Sequence, residues 1–184
     1  MPNWVDNNVI IYGDENVLND IKIFVQSKDC AFDFDKIVPM PPHSETFFRD
    51  GGLSIEEEKK YGRNNWYHWS IDNWGTKWNS CESGCLGIYN NELKYFFQTA
   101  WSPALPVLNV LAKKFKVKIK CTFVDEAIGD NCGLIVFDEN GDTIEDEYYE
   151  ENGFNFIAKV YGEDYLYDYG FIKDKDGNWV YEED

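Results

Sequence analysis

Positive charge is what this sequence has least of. Its 184 residues carry 17 Lys and Arg against 34 Asp and Glu, a net of −17, and a field of that sign repels phosphates while attracting basic protein surfaces. Direct binding to nucleic acid is therefore not expected, since every phosphate approached works against the charge; the basic residues Lys113, Lys114, Lys116, Lys118 and Lys120 offer one short stripe. Long apolar runs are also missing. No uninterrupted stretch approaches the roughly 20 residues a bilayer requires, so no membrane role is expected. Histidine occurs twice, at His43 and His68, and the five cysteines (Cys30, Cys81, Cys85, Cys121, Cys132) include no C-x-x-C pair. Cys81 and Cys85 with His68 make a loose set for zinc, which usually takes tighter ligand pairs, so neither a metal nor another cofactor is expected. An odd number of scattered thiols fits reduced cysteines in cytosol better than a disulfide framework. The start, Met1 to Asp6, has neither a basic segment nor a following apolar run, which does not read as a signal peptide and points to a cytoplasmic protein. Phosphate-binding and serine-hydrolase motifs (P-loop, G-x-G-x-x-G, G-x-S-x-G) are missing too, and nothing fixes a nucleophile beside a base. No catalytic residue is assigned, and the balance leans away from an enzyme.

Aromatic residues, by contrast, make up 17% of the chain and hydrophobic residues 43%, enough for one compact unit with a core of its own. The run Val9 to Tyr12 has the β-branched content of a strand. Val17, Ile21, Phe24 and Val25 then fall on one face of a helix from about 14 to 27. Prolines 39, 41 and 42 mark an extended connection. A polar insertion follows at about 43–73, with a short exposed helix at Glu56 to Lys60 and a second helix from 64 to 73. Thr76 to Asn79 and Leu93 to Trp101 read as a pair of strands. Ser102 and Pro103 read as the start of a helix reaching Phe115. Val117 to Phe123 alternates with period two as a half-buried strand does, and Leu134 to Phe137 with Thr143-Ile144 reads as a hairpin. The order βα, insertion, ββ, αβ predicts an α+β protein: a ferredoxin-like split antiparallel sheet with two helices on one face, over residues 1–137.

Trp74, Trp78 and Trp101 flank small residues in Trp74-Gly75-Thr76-Lys77-Trp78 and Thr99-Ala100-Trp101-Ser102-Pro103. Large indoles beside small neighbours predict a packed aromatic junction. These two stretches, the first taken from Asn73 to Asn79, together with Met1-Pro2-Asn3-Trp4-Val5, Asn8, and Phe34 to Pro41, resemble the YubB-like proteins of plasmids and phages. That resemblance covers about residues 1–137 and implies a ferredoxin-like domain and an origin in a mobile element; it brings no activity with it.

Residues 138–184 form an acidic C-terminal elaboration expected to pack on the same unit. They hold sixteen acidic residues against Lys159, Lys173 and Lys175, a net of −13, together with seven Tyr, three Phe and one Trp. So many aromatics predict folding rather than disorder: a helix over 154–161, and a hairpin of 165–172 with 179–181 around Asp176-Gly177. Asp138 to Asp142 and Asp174 to Asn178 also depart from the calcium-loop pattern and read as turns. The acidic residues can be a solvated, solubilising face. They can equally be a surface for a partner, with Glu145, Asp146, Glu147, Glu150, Glu151, Glu163, Asp164 and Asp168 as its contacts. The functional expectation is a non-enzymatic binding protein that engages a basic host protein, its carboxylates imitating nucleic acid toward a defence factor. The alternative is a small hydrolase or nucleotide-handling enzyme with a cleft near Trp74 and Trp101.

Overall fold

A computed structural model describes residues 2–40 and 66–182. The chain runs through β1 (Trp4–Tyr12), α1 (Glu15–Val25) and the short α2 (Phe34–Ile37), then α3 (Trp66–Trp74), β2 (Cys81–Tyr89), β3 (Glu92–Ala100), α4 (Leu105–Phe115) and β4 (Lys118–Asp125). It continues with β5 (Cys132–Phe137), β6 (Thr143–Tyr149), α5 (Phe154–Tyr161), α6 (Glu163–Asp168), β7 (Phe171–Lys173) and β8 (Trp179–Tyr181). The short helix expected at 56–60, and His43, lie outside the described residues.

Six strands make one sheet in the order β2-β3-β1-β4-β5-β6, every neighbouring pair antiparallel. The first four strands in that order are the split arrangement the sequence predicts, and β5 and β6 widen it at one edge. Alternation sorts the side chains. Val5, Val9 and Ile11 of β1, Leu93, Tyr95 and Phe97 of β3, and Ile119, Cys121 and Phe123 of β4 are buried with Leu18, Ile21 and Val25 of α1 and Leu108, Leu111 and Ala112 of α4. Asn7 lies in the same buried row and is satisfied there: its amide donates to Val5 O and to Thr99 Oγ1, both at 2.9 Å. This is why β1 begins at Trp4, five residues before the apolar run that marks it in sequence.

A second, smaller core lies on the opposite face of the sheet. Val124 of β4 and Leu134 and Val136 of β5 pack with Phe156, Ile157, Leu166 and Trp179. The C-terminal segment thus contributes β6 to the sheet, while α5, α6 and the β7–β8 pair cover the sheet at β4 and β5.

Three local expectations need correction. Thr76 to Asn79 is not a strand; β2 lies later, at Cys81–Tyr89, where glycines dilute the strand signal. The loop is held instead by side chains. Thr76 Oγ1 donates to Ala100 O at 2.8 Å and accepts from Ala100 N at 3.0 Å, and Asn79 Oδ1 accepts from Phe34 N at 2.8 Å. The helix expected at Ser102-Pro103 starts at Leu105, with Ala104 at the cap position and Pro106 in the first turn. Finally, much of 165–172 is helical, because Leu166 turns inward beside Ile157 and strand geometry begins only after Gly170, at φ +81°.

Gly75 occupies a left-handed position (φ +79°), and a Cβ there would come within 2.8 Å of Pro106 Cδ. Gly75→Ala is expected to destabilise the fold by about 1–3 kcal/mol in chemical denaturation, combining backbone strain with a displaced first turn of α4.

Both acidic turns are closed by their first aspartate. Asp138 Oδ1 accepts from Asp142 N (2.9 Å) and Asn140 N (2.8 Å), and Asp174 Oδ1 accepts from Asn178 N (2.8 Å) and Asp176 N (2.9 Å). These backbone donors, those of Asp142 and Asn178 first, hold the two carboxyls below the ordinary aspartate value. A depressed carboxyl supports the turn above the unfolded pKa of about 3.9 and ceases to as pH falls through the lower folded value. Amide protection in β7 and β8 should therefore stay level from about pH 7 to 5 and drop below about pH 4. Equal protection at about pH 2 and pH 5 would show that the carboxylates do not hold these turns.

Candidate functional site: an aromatic and acidic groove beside the C-terminal unit

Side chains of β1 and β3 at even positions point away from α1 and α4. In register across the two strands stand Asp6 with Gln98, and Asn8 with Phe96. Because α5 and α6 cover the sheet farther along, at β4 and β5, this part stays open and forms the floor of a groove of 350 Å³. Tyr161 of α5 and Tyr165, in α6, wall it on one side, and Glu82 of β2 stands at the other.

Each lining group is positioned locally. Asp6 Oδ1 accepts from Gln98 Nε2 at 2.9 Å. The Tyr161 hydroxyl accepts from Asn8 Nδ2 at 3.1 Å and donates to Thr122 Oγ1 at 3.3 Å, so its ring is anchored against the sheet. Tyr165 lies 5.2 Å from Tyr161 and 5.0 Å from Tyr169, centroid to centroid, continuing a tyrosine stripe across the break at Gly162. Burial raises the phenol pKa of Tyr161 and Tyr165, so both rings stay neutral near pH 7. Phe96 is 42% exposed, unusual for a central strand; its partner across β2 is Gly84, and any Cβ there would collide with the ring. Glu82 sits at an irregularity in β2, with φ +44°. Among the described residues no cation is within ion-pair distance of Asp6 or Glu82.

The three singled-out tryptophans do not form one junction. Trp74 is enclosed, 5% exposed, edge-on to Phe34 (6.0 Å) and Trp69 (5.4 Å), with its Nε1 donating to Val38 O at 2.9 Å. Trp78 lies apart from that cluster, its ring 5.9 Å from Trp4. Trp101 is 40% exposed, because the strand ends at Ala100 and the residue takes φ +69°. Lys77 Nζ lies over Trp78 and Trp101, 4.6 and 5.2 Å from the ring centroids.

The eight acidic residues singled out in sequence are all at or near the surface, on different elements. Register puts Glu145 and Glu147 opposite Val136 and Leu134, on the α5 side of the edge strand β6, and Asp146 opposite Ile135 on the other side. Glu147 accepts from the Tyr149 hydroxyl at 2.8 Å and lies 3.7 Å from Lys159. Glu150 and Glu151 lead toward α5, and Asp164 and Asp168 are on α6. Glu163, on the same helix, pairs with Lys173, which together with the Tyr167 hydroxyl holds its carboxyl below the ordinary value. Among the described residues no group of three or more His, Cys, Asp and Glu side chains is placed to hold a metal ion, and no helix is long and apolar enough to cross a membrane.

The split sheet agrees with a family match over residues 73–171, to the model described as the ferredoxin-like domain in Api92-like protein. The chain belongs to this family. The matched region begins before β2 and ends at the start of β7, so it takes in the acidic strand and both C-terminal helices. The crystal structure of the protein api92 from Yersinia pseudotuberculosis superposes with a TM-score of 0.55 at 8% identity, covering 81% of this chain and 98% of that one. At such identity the likeness is one of fold. No curated protein matches the chain.

Within this Api92-like fold, the groove residues Asp6, Glu82, Gln98, Tyr161 and Tyr165 have no motif that marks them in sequence. Asn8 enters only through the family resemblance, and Phe96 only as part of the strand expected over Leu93 to Trp101. The consecutive polar residues Asp6, Asn7 and Asn8 mask the alternation of β1, so nothing in the sequence shows that Asp6 and Asn8 share a face.

Proposed function

We propose that this Api92-like protein is a non-enzymatic binding protein whose acidic, tyrosine-rich C-terminal region engages a basic surface of another protein. The observation that supports this is the state of the carboxylates: residues 138–184 carry sixteen acidic groups against three lysines, and two ion pairs, Lys159–Glu147 and Lys173–Glu163, are found there among the described residues. Six of the sixteen are fixed on β6 and α6, and beyond Glu147 and Glu163 no acidic group there has an ion pair among the described residues, an arrangement that costs self-repulsion unless a partner relieves it. Exposed Tyr148, Tyr167 and Tyr169 add contact area at low entropy cost. The resemblance to YubB-like plasmid and phage proteins extends the reading: the partner is a host protein, and the carboxylate array imitates nucleic acid toward a defence factor that normally grips phosphates. The hydrolase alternative draws no support from the geometry, since Trp74 is enclosed and Lys77 occupies the faces of Trp78 and Trp101.

The test is capture of host proteins on the immobilised chain at about 0.1 M and about 1 M salt, where the Debye length falls from about 10 to 3 Å. Basic proteins retained at the lower salt, released at the higher, and not retained by a variant with Glu145, Glu147, Glu150 and Glu151 all changed to Lys are the expected result. Identical capture by wild type and variant would overturn the reading.

A further inference from the structure

We infer that the groove between the open sheet face and the tyrosine stripe is an arginine-binding site, taking one guanidinium from the basic partner. This rests on the binding reading above and gives it a specific point of contact. Two carboxylates, Asp6 and Glu82, reach the groove from different strands, and no described cation pairs with either. Between them lie flat aromatic surfaces, Phe96 from the floor and Tyr161 and Tyr165 from the wall. Carboxylate beside aromatic face is what a cation needs when it leaves water. The ring quadrupole attracts it from above, and the carboxylate supplies both charge and acceptors.

Geometry favours guanidinium over ammonium. A planar cation stacks on rings and directs its donors outward in its own plane, whereas an ammonium is a compact and strongly hydrated point charge. Asp6 has one oxygen already committed to Gln98, so its orientation is fixed before any ligand arrives. The Tyr161 hydroxyl is likewise committed to Asn8 and Thr122, which leaves its ring, rather than its OH, as the surface offered. Phe96 has the room for its position only because residue 84 is glycine. An exposed phenylalanine held over a backbone by a glycine, beside an unpaired carboxylate, is a poor use of a central strand unless something covers it. A nucleobase would also stack on these rings, but its phosphate would meet Asp6 and Glu82.

The probe is N-acetyl-arginine-methylamide, titrated into the full-length chain by NMR at about 0.15 M salt, with the lysine analogue as comparison. The side-chain amide signals of Asn8 and Gln98 should shift saturably, with arginine bound at least about threefold more tightly than lysine. The double variant D6N/E82Q should weaken arginine binding about tenfold or more, and Phe96→Leu, which keeps the bulk and removes the ring, roughly threefold. Reversal of the four glutamates at 145, 147, 150 and 151 should leave the Asn8 and Gln98 shifts within about twofold, since most of the effect of distant charge is screened at this salt. Unsaturable shifts, shifts confined to β6 and α6, or equal binding by wild type and both groove variants would overturn the assignment. If the double variant fails to fold, Phe96→Leu and the arginine-to-lysine ratio still decide. Failure of arginine to bind while basic proteins are still captured by the acidic rim would remove the groove alone; arginine binding with no charge-dependent capture would remove the broader reading and leave the groove.

Discussion

Trp74→Ala should lower the stability of the fold by about 3–5 kcal/mol, and Trp101→Ala by only about 1 kcal/mol. The two indoles sit in similar sequence settings, and burial separates them. Trp74 fills the space between α3, α2 and α4, with Phe34 and Trp69 against its edges, so truncation leaves a cavity lined by rings that cannot collapse into it. Its Nε1 also donates to Val38 O, and the loss of that partly buried hydrogen bond adds to the cost. Trp101 has much of its ring in water already. What it gives up is a share of the Lys77 stacking, which remains available from Trp78. Urea denaturation of the two variants decides the matter. Equal losses would show that the tryptophans act as one packed unit after all.

The residues that carry the family resemblance turn out to be fasteners. Asn3 Nδ2 donates to Asp125 Oδ1 at 3.2 Å, Thr76 bonds both backbone groups of Ala100, Asn79 holds the start of α2, and Gly75 gives Pro106 room to approach. Each ties a loop to a distant strand or helix. A fold can require such residues whatever its members bind, which is why the motifs pointed to architecture and carried no activity.

The ferredoxin-like core could be read from sequence because its signals are periodic: α1, α4 and β4 repeat their apolar residues at helix or strand spacing. Elements that depend on side-chain hydrogen bonds could not. The first half of β1 contains Asp6, Asn7 and Asn8, and only the structure shows that Asn7 finds partners inside while Asp6 and Asn8 face the groove. Strand β2 hides behind Gly84 and Gly87, which lower strand propensity but permit the bulges and the seat for Phe96. Helix α6 was obscured by a run of tyrosines that suits either period, and Leu166 alone points inward. The groove follows the same rule. Its members lie far apart in the chain and acquire meaning only from the pairing of β1 with β3 and the return of α5 over the sheet. The acidic surface, being a matter of composition, was visible from the start.

Charge at the C-terminal region should appear in rates before it appears in affinities. Changing Glu145, Glu147, Glu150 and Glu151 together to Lys should slow association with a basic partner by about 10–100-fold, and the wild-type rate should fall steeply as salt rises from about 0.1 to 1 M. Neutralising any one of the four should matter little, because an isolated exposed charge contributes under about 1 kcal/mol. Glu145 and Glu147 point to the same side of β6, while Glu150 and Glu151 follow where the chain turns toward α5, so the four act together at one edge of the sheet. The variant should remain folded: none of the four is buried, and the described ion pair lost, between Glu147 and Lys159 at 3.7 Å, is itself exposed. Stopped-flow association with the captured partner provides the measurement. A rate indifferent to both salt and charge reversal would mean that the carboxylates serve only to keep the edge strand soluble, which is the other established use of charge at a sheet edge.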